Sequence, residues 1–560
     1  MMSGQPPRAT IPSSTHPSAR AIVQGLVHGG VKHIVTSPGS RNAPLVLACH
    51  HHPDLAIIVS IDERAGAHHA LGIAMGTGQP VAVICTSGTA ALNHGPALAE
   101  AFHARLPLIS ITADRPADMI GRGHGQSIVQ RGVHRHHVVH EDVLDGTQFD
   151  ESVLFERVEH AVSQSRQGGP GQTPGPVHLN VPLEEPLYDL QDLELEVDNQ
   201  PFNAPSRDES HHDEFDGSSL DGRILVLAGN RPLSSQGGVA THLTTNLPCL
   251  AERGAHMSGP HVIHGADRLI QNGALPDHLM PTAVLTVGLP PMSKSWRKAF
   301  QGLPHWHLGE PGWDMWNCLK GTLPLSFLES IKPEAAFVEE WMRQAERLQS
   351  SSQHVPEEWS DLRAWIELSQ GWKRLDESQK PSALHLANSA SARYAQWVNL
   401  DGALRQGAPV MANRGVAGID GCVSTALGWQ VANPTGNAWM VCGDLAFHYD
   451  INAWMMDTPQ AMKGLKVVVM NNGGGGIFRW LPGRDREGFE RLFETPPNRT
   501  VGDACRLIGA RHWQVQSAEE VSGAVKEAAL HEGNAVLEIC TPNNTSADVL
   551  HQHLSSFHRP

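Results

Sequence analysis

The sequence lacks paired cysteines, an excess of positive charge and any long hydrophobic run. Its eight cysteines are scattered singly along 560 residues, without a CxxC pair, which argues against a disulfide framework and against a cysteine-rich zinc site. With 58 acidic and 42 basic residues the net charge is −16, so neither nucleic acid nor an anionic membrane is expected as a partner.

The amino-acid sequence also contains no pattern typical of a targeting or membrane-spanning segment. Residues 1–20 are rich in Pro, Ser and Thr and lack the apolar segment of a signal peptide. No apolar run approaches the ~18 residues that a membrane-spanning helix needs. Several cysteines lie inside apolar runs, which is typical of buried thiols in a reducing compartment. Together these features predict a cytoplasmic protein.

The apolar segments that are present predict an α/β protein with several domains. At about 150 residues per domain, 560 residues suggest about three to four domains. Short β-branched runs such as Val81–Cys85 alternate with helical stretches rich in small residues, for example 65–75. Continuous apolar strands separated by helices predict parallel sheets covered by helices on both faces. We therefore expect three doubly wound parallel-sheet domains.

Shifts in composition suggest where these domains begin and end. Residues 189–220 turn acidic and lose periodicity, as linkers do. The predicted organisation is a flexible tail at 1–20, a first domain at 21–188, an acidic linker at 189–220, a central domain at 221–345, a connecting helical segment at 346–380 and a third domain at 381–560.

In the third domain, oxygen-bearing side chains follow two predicted strands. Asp444 follows the run 438–442, and Asn471-Asn472 follows the run 465–470. Ligands of open parallel sheets gather beyond the carboxyl ends of the strands. A few hard oxygen ligands there suit Mg²⁺ holding a phosphate or diphosphate. Either motif alone is common in turns. The combination favours a metal site in which Asn471 or Asn472 is the second ligand.

In the first domain, Glu63 lies at a strand end and opens a helix. An acid in the first turn is also an ordinary response to the helix dipole. Its surroundings make it a candidate site residue, because Ser40, Arg41, Arg115 and Gln126 follow other strands or loops of the same predicted sheet edge.

These two constellations resemble the thiamine-diphosphate-dependent enzymes, which combine a pyrimidine-binding, a central and a diphosphate-binding domain. Besides Glu63 and Gly443-Asp444 with Asn471-Asn472, the resemblance rests on the motifs TSPGSRNAP (36–44), TADRP (112–116), NRGVAGID (413–420) and GGGGIF (473–478). It extends over nearly the whole chain. It implies thiamine diphosphate and Mg²⁺, for which Mn²⁺ can substitute, as cofactors.

The resemblance also implies roles for individual residues. Glu63 would hydrogen-bond the aminopyrimidine ring of the cofactor and favour its imino tautomer, and Gln126 would be a second catalytic residue. Asp444, the side chain of Asn472 and the carbonyl of Gly474 would hold the metal ion. The other implied cofactor contacts are Ser389, Ile419, Gly443, Ile477 and Phe478.

Cations in motif segments or after predicted strands suggest an anionic substrate. They are Arg41, Arg115, Lys294, Arg393 and Arg414. Guanidinium groups bind carboxylates through paired hydrogen bonds, although any one of these cations alone could be a solvated surface group. The longer motifs resemble a branch of the family that acts on two dicarboxylates, 2-oxoglutarate and isochorismate, in menaquinone and phylloquinone biosynthesis. In that branch Ser40 and Ser389 would add polar substrate contacts.

Two alternatives remain open at this point. The chain could be another thiamine-diphosphate carboligase or decarboxylase, such as an acetolactate synthase, whose substrate pyruvate needs only one cationic anchor. It could also be a non-catalytic paralogue that serves as a binding subunit. The resemblance further implies a homodimer or homotetramer with active sites between chains, in which Glu63 of one chain meets Asp444 of the partner subunit.

Overall fold

Three parallel sheets form the framework of the chain in the computed structural model. The structure describes residues 8–169, 173–196, 220, 222–231, 242–270, 274–309, 312–351, 355–457 and 462–556. Each of the three sheets has six strands, and the strands that pair within them are parallel. This architecture confirms the expected α/β class with doubly wound parallel sheets.

The first unit contains the strands β1 (Arg8–Ser14), β2 (His33–Thr36), β3 (Ala56–Val59), β4 (Val81–Cys85), β5 (Leu108–Asp114), β6 (His140–Val143), β7 (Val177–Pro182) and β8 (Leu190–Glu196). Its helices are α1 (Pro17–His28), α2 (Ala43–His50), α3 (Glu63–Thr77), α4 (Thr89–Asn93), α5 (Gly95–Ala104) and α6 (Glu151–Gln167). The sheet order is β3-β2-β4-β5-β7-β6, so the order reverses between β2 and β4.

The two ends of this unit differ from the sequence-based prediction. Strand β1 lies inside the expected flexible tail 1–20, and β8 lies inside the expected linker 189–220. The two strands pair antiparallel, with Arg8 opposite Glu196 and Ser14 opposite Leu190. Backbone hydrogen bonding therefore orders residues that composition alone assigned to a tail and a linker. Residues 1–7 of the tail and 197–219 of the linker lie outside the described residues.

The central unit contains β9 (Ile224–Ala228), β10 (Leu243–Thr244), β11 (Cys249–Ala251), β12 (Met257–Ser258), β13 (Val262–Ile263), β14 (Ala283–Val287), α7 (Lys294–Ala299), β15 (His305–Leu308), β16 (Leu319–Leu323), α8 (Phe327–Ser330) and α9 (Ala335–Ser351). Its sheet has the order β13-β11-β9-β14-β15-β16, and β10 pairs separately with β12. The fully buried strands β9 and β14 form the centre of this sheet.

The third unit contains α10 (Asp361–Lys373), β17 (Ala383–Leu386), α11 (Ala390–Trp397), β18 (Val410–Met411), α12 (Cys422–Ala432), β19 (Ala438–Gly443), α13 (Asp444–Tyr449), β20 (Lys466–Asn471), α14 (Val501–Ile508), β21 (Arg511–Val515), α15 (Ala518–Leu530), β22 (Ala535–Cys540) and α16 (Asn543–Ser556). Its sheet order is β18-β17-β19-β20-β22-β21. When the strands are numbered within each unit, this is the same order as in the first sheet.

Helices α3 and α12 join the first and third units by a close crossing. A Cβ atom added to Gly72 would lie 2.0 Å from the carbonyl oxygen of Thr425, and one added to Gly428 would lie 2.0 Å from the carbonyl oxygen of His69. Glycine at these two positions therefore lets the helix backbones touch. The crossing fixes the first sheet relative to the third.

The connecting segment is also integrated into the fold. Helix α9 runs across the predicted boundary at 345/346, and α10 packs into the third unit. Trp365 and Trp372 of α10 are fully buried in the core of that unit, and Trp372 packs edge-on against Trp439 of β19.

Among the described residues, no helix combines the length and hydrophobicity needed to cross a membrane.

Candidate active site

A cavity of about 160 Å³ lies where the strand order of the third sheet reverses, between β17 and β19. Asn388 and Ser389 follow β17, and Gly443 and Asp444 stand at the end of β19. All four line the cavity. Open parallel sheets bind their ligands at such reversal points, because the connections leave in opposite directions and open a crevice.

Asp444 is the central charged group of this cavity. Its side chain is almost completely buried, and its Oδ2 atom has no hydrogen-bond partner among the described residues. Burial, aided by the charge of Asp361, raises the pKa of Asp444 to about 7, although backbone N–H groups of Leu445 and Gly474 oppose the rise. A cation at Oδ2 would stabilise the carboxylate and remove this penalty.

Asn471 and Asn472 are distinguished by their partners. The Nδ2 atom of Asn472 donates to Oδ2 of Asp361 at 2.9 Å. The amide oxygen of Asn472 therefore points away from Asp361. Asn472 lines the cavity. In contrast, Nδ2 of Asn471 donates to Glu538 at 2.6 Å, and its Oδ1 accepts the N–H of Gly473 at 3.1 Å. Both polar atoms of Asn471 are thus engaged away from the cavity.

The cavity gathers the residues that were expected at the diphosphate end of the site. These are Ser389, Ile419, Gly443, Asp444, Asn472, Gly474, Ile477 and Phe478. Sequence reasoning missed Asp361, Asn388, Trp365 and Tyr394, which also line it. Asn388 lies two residues after the end of β17, so the strand-end rule could have found it. Asp361 begins a helix in a segment that was expected only to connect domains, and nothing in its local sequence points to the cavity.

Two expected site residues have unusual backbone conformations. Ser389 has a φ angle of 69° and Gln126 has a φ angle of 53°. Both lie in the left-handed region, which residues other than glycine rarely occupy. Such conformations cluster at functional sites, where the surrounding structure holds them.

Glu63 begins α3 and lies outside this cavity. The side chain of Asp62 caps the helix by accepting the N–H groups of Arg64 at 2.9 Å and Ala65 at 3.2 Å. Asn452 of the third unit donates to the other carboxylate oxygen of Asp62 at 2.8 Å. Glu63 itself is half-buried, and its charge contributes to raising the pKa of Cys85 at the end of β4. Within one chain, Glu63 is therefore not among the residues that line the cavity around Asp444.

Arg41 and Arg115 are here called the first cation pair. They follow β2 and β5, at the carboxyl ends of the strands of the first sheet. The buried Arg41 donates to the carbonyl of Leu183 at 2.7 Å and lies 3.6 Å from Glu185. Burial and the neighbouring charge of Arg115 lower the pKa of Arg41. Arg115 donates to the carbonyl of Gly125 at 3.1 Å. The two cations are thus near enough for the charge of Arg115 to act on Arg41.

Ser40 and Gln126 belong to the same region. The hydroxyl of Ser40 is 2.8 Å from that of Tyr188. Gln126 directly follows the Gly125 carbonyl that Arg115 binds, and its Cα atom would be 3.2 Å from a Cβ atom added to Gly88. The four residues predicted around Glu63 therefore come from neighbouring loops of one sheet edge.

Arg393 and Arg414, the second cation pair, lie where the third unit meets the central unit. Arg393 donates to the carbonyl of Ser389 and Arg414 to the side chain of Asn388, at 2.8 and 2.7 Å. Their charges act on two carboxylates of the central unit: both cations act on the buried Glu252, and Arg393 also acts on the half-buried Asp267. The pair therefore borders the Asp444 cavity through Asn388 and Ser389.

Glu252 and Asp267 were not expected from the sequence. Burial raises the pKa of Glu252 to about 7, although the second cation pair opposes the rise. Asp267 accepts the hydroxyl of Ser293, and the exposed Lys294 follows Ser293 at the start of α7. Lys294 thus lies at this border, but the structure shows no contact between it and the second cation pair. Glu252 directly follows β11, so the strand-end rule could have detected it.

Fold and site together define a thiamine pyrophosphate enzyme. Residues 18–136 match the family described as "Thiamine pyrophosphate enzyme, N-terminal TPP binding domain", and residues 399–539 match "Thiamine pyrophosphate enzyme, C-terminal TPP binding domain". The first match contains Glu63, and the second contains Asp444 and Asn472. This result agrees with the family resemblance that the sequence motifs indicated.

Similar full-length proteins carry the name 2-succinyl-5-enolpyruvyl-6-hydroxy-3-cyclohexene-1-carboxylate synthase. The protein from Christiangramia forsetii is 31% identical over 96% of this chain and 98% of its own length. Those from Geobacillus kaustophilus and Porphyromonas gingivalis are each 32% identical, over 93% and 94% of this chain and 94% of their own lengths. The chain belongs to this synthase family.

Proposed function

We propose that this chain decarboxylates 2-oxoglutarate with thiamine diphosphate and adds the remaining four-carbon unit to isochorismate. The product is 2-succinyl-5-enolpyruvyl-6-hydroxy-3-cyclohexene-1-carboxylate, an intermediate on the way to menaquinone or phylloquinone. The observation that carries the proposal is the cavity at the reversal point of the third sheet, in which the expected cofactor residues converge on an unpaired buried carboxylate oxygen.

The residues present fit a divalent ion on a diphosphate. Asp444 offers the unpaired Oδ2 atom, and the amide oxygen of Asn472 is turned away from Asp361. Hard oxygen donors of this kind suit Mg²⁺ or Mn²⁺, and Gly474 lines the same cavity. We assign the metal to Asp444, Asn472 and the carbonyl of Gly474. When bound, thiamine diphosphate supplies the electron sink for carbanion chemistry at the keto carbon.

Cavity size and the position of Glu63 support an active site between two chains. The cavity of about 160 Å³ is smaller than the ~300–1,000 Å³ typical of sites for whole organic ligands. One chain therefore offers room for the diphosphate end and holds Glu63 elsewhere. We assign Glu63 and Gln126 to the pyrimidine end and infer that a second copy supplies them, in a homodimer or homotetramer.

The two cation pairs suit two dicarboxylate substrates. Arg41 and Arg115 lie at the Glu63 edge, whereas Arg393 and Arg414 border the Asp444 cavity. Across a dimer interface these pairs would face the same space, with Ser40, Ser389 and Lys294 adding polar contacts. Pyruvate has one carboxylate and would leave most of this positive charge unpaired.

We also place the protein in the cytoplasm, in accord with its eight free cysteines.

The direct test incubates the purified protein with 2-oxoglutarate, isochorismate, thiamine diphosphate and Mg²⁺, followed by mass spectrometry of the product. We expect the mass of the named synthase product and release of CO₂. Preferential turnover of pyruvate would refute the substrate assignment. Absence of any heat of thiamine diphosphate binding in a calorimetric titration would refute the enzymatic assignment altogether.

Glu63→Gln tests the role at the pyrimidine end. We expect turnover to fall at least ~10²-fold, the usual contribution of a positioned proton-transfer group, while Mg²⁺-dependent binding of inorganic diphosphate stays unchanged. Glu151→Gln is the matched control, because Glu151 begins α6 as Glu63 begins α3, and it should retain full turnover. Full turnover of the Glu63 variant would reject its role.

Mixing two inactive variants tests the site between chains. Glu63→Gln and Asp444→Ala are each inactive in the proposal, but a mixed dimer contains one site with both wild-type residues. Coexpression should therefore restore about one quarter of the wild-type activity, since about half of the dimers are mixed and each has one intact site of two. No recovery in dimers shown to be mixed would place both residues in the same chain's site.

A further inference from the structure

The central unit carries a cluster of metal-ligand side chains that contains none of the residues assigned above. His305 begins β15, and Asp314 and Cys318 lie in the segment before β16. Each offers one ligand atom, and these atoms lie within 4.8 Å of one another. We propose that His305, Asp314 and Cys318 bind one Zn²⁺ ion, with water as the fourth ligand.

The imidazole of His305 is independent evidence that a metal ion binds at this cluster. The side chain is fully buried, and its Nδ1 atom has no hydrogen-bond partner among the described residues. Its Nε2 atom lies 2.6 Å from the hydroxyl of Thr286. A buried polar atom without a partner is costly. With the proton on Nε2 donated to Thr286, Nδ1 presents a lone pair, which is the arrangement that metal-binding histidines adopt.

The hydrogen bonds around Thr286 allow the neutral tautomer of His305 that metal binding requires. The hydroxyl of Thr286 also lies 2.9 Å from Nδ1 of His307, so its own proton has an acceptor when it receives the N–H of His305.

The two other ligands are held by backbone contacts that leave them available. Asp314 accepts the N–H of Cys318 at 2.9 Å and that of Leu319 at 3.0 Å, and its carboxylate is exposed to solvent. The thiol of Cys318 is half-buried, with the carbonyl of Leu303 at 3.6 Å. Each carboxylate oxygen keeps a further lone pair. Water can therefore reach the fourth coordination position from the Asp314 side.

The donor set identifies the ion. Nitrogen and thiolate donors favour Zn²⁺ over the Mg²⁺ expected at Asp444. Zn²⁺ with bonds of about 2.0–2.3 Å would hold its ligands ~3.3–3.7 Å apart. The three ligand atoms, which lie within 4.8 Å of one another, would need to approach by at most about 1.5 Å. Rotation of the exposed Asp314 and half-buried Cys318 side chains would have to supply this movement, because His305 is fully buried.

Position in the sheet indicates what the ion would do. Strand β16 is an edge strand, and its pairing with β15 is irregular between His305 and Trp306. An ion held by His305 on β15 and by Asp314 and Cys318 ahead of β16 would fasten this edge where the hydrogen-bond ladder is interrupted. Cys318 is not part of a CxxC motif, so the sequence alone does not reveal the site.

Cobalt substitution in the full-length protein tests the proposal, because Co²⁺ bound by a thiolate shows a charge-transfer band that the oxygen ligands of the Asp444 site cannot produce. We expect one such ion per chain in the wild type. Cys318→Ser should remove the band. Cys540→Ser is the matched control, since Cys540 is the other half-buried cysteine, and should keep it. A wild type without the band, or an equal band in Cys318→Ser, would overturn the site.

Alkylation of the wild type tests the site without any substitution. Iodoacetamide labelling is followed at each cysteine by peptide mass spectrometry, with and without added Zn²⁺. We expect Zn²⁺ to slow labelling of Cys318 at least ~10-fold, because a metal-bound thiolate is a poor nucleophile, and to leave Cys540 unchanged. Equal labelling rates at Cys318 in both conditions would refute Zn²⁺ binding even if the Cys318 variant failed to fold.

Discussion

Asp361 determines, in our interpretation, which way the amide of Asn472 faces. Its Oδ2 atom accepts Nδ2 of Asn472 at 2.9 Å, and its other oxygen accepts the hydroxyl of Thr541. A hydrogen bond to a charged acceptor contributes about 1.5–3 kcal/mol. That difference is enough to keep the amide oxygen, rather than the nitrogen, directed towards the metal position. Asp361→Ala removes the acceptor and leaves the amide free to turn.

We expect Asp361→Ala to weaken Mg²⁺ binding about 10–100-fold, the usual effect of removing a group that orients a metal ligand. This range corresponds to ~1.4–2.7 kcal/mol, which agrees with the hydrogen bond that is lost. The assay is calorimetric titration of Mg²⁺ into the enzyme saturated with thiamine diphosphate. Thermal unfolding of the same variant, measured without Mg²⁺, separates loss of metal affinity from loss of fold.

Glu538→Ala is the matched control, because it removes the partner of the other asparagine. Glu538 is also buried and accepts Nδ2 of Asn471 at 2.6 Å. If Asn472 is the ligand, Mg²⁺ affinity should change less than ~3-fold in this variant. An equal or larger loss in Glu538→Ala would identify Asn471 as the ligand. Wild-type Mg²⁺ affinity in Asp361→Ala would refute the orienting role.

Two further predictions concern stability. Burial raises the pKa of Glu252 to about 7, above ~4.3 in the unfolded chain, so the free energy of unfolding should fall as pH rises between these values, by up to about 4 kcal/mol. In Glu252→Gln the urea midpoints should lose this pH dependence, and profiles parallel to those of the wild type would contradict the prediction. Gly72→Ala should destabilise by ~3 kcal/mol, because its Cβ atom would lie 2.0 Å from the Thr425 carbonyl. Gly523→Ala has nothing within 4 Å of its Cβ atom and should stabilise helix α15 by about 0.5–1 kcal/mol; equal thermal midpoints for the two glycine variants would refute the packing argument.

The third sheet and its cavity could be predicted from the sequence because their signals are local. Strands β19 and β20 are continuous apolar runs, and Asp444 and Asn472 stand directly at their ends. The two strands pair in register, with Cys442 opposite Val469, so the side chains that follow them emerge at neighbouring positions. The strand-end rule needed no information from elsewhere in the chain.

The missed features depend on contacts between distant parts of the chain. Asp361 reaches Asn472 from a helix that precedes the sheet, and Glu252 reaches the second cation pair from the central unit. Neither carboxylate has a motif of its own. Likewise, β1 and β8 are ordered by each other, since each satisfies the backbone groups of the other. Composition describes each of these segments separately and therefore predicts a tail and a linker.

The equal strand order of the first and third sheets has a consequence for the active site. In the proposed function the two reversal points carry different halves of the chemistry. The third holds the buried carboxylate of Asp444 for a metal-bound diphosphate, and the first holds Arg41 and Arg115 beside the Glu63 loop. Within one chain, the α3–α12 crossing fixes the two units with Glu63 outside the Asp444 cavity. We infer that neither half acts alone, and the proposal therefore has the third unit of one chain face the first unit of another.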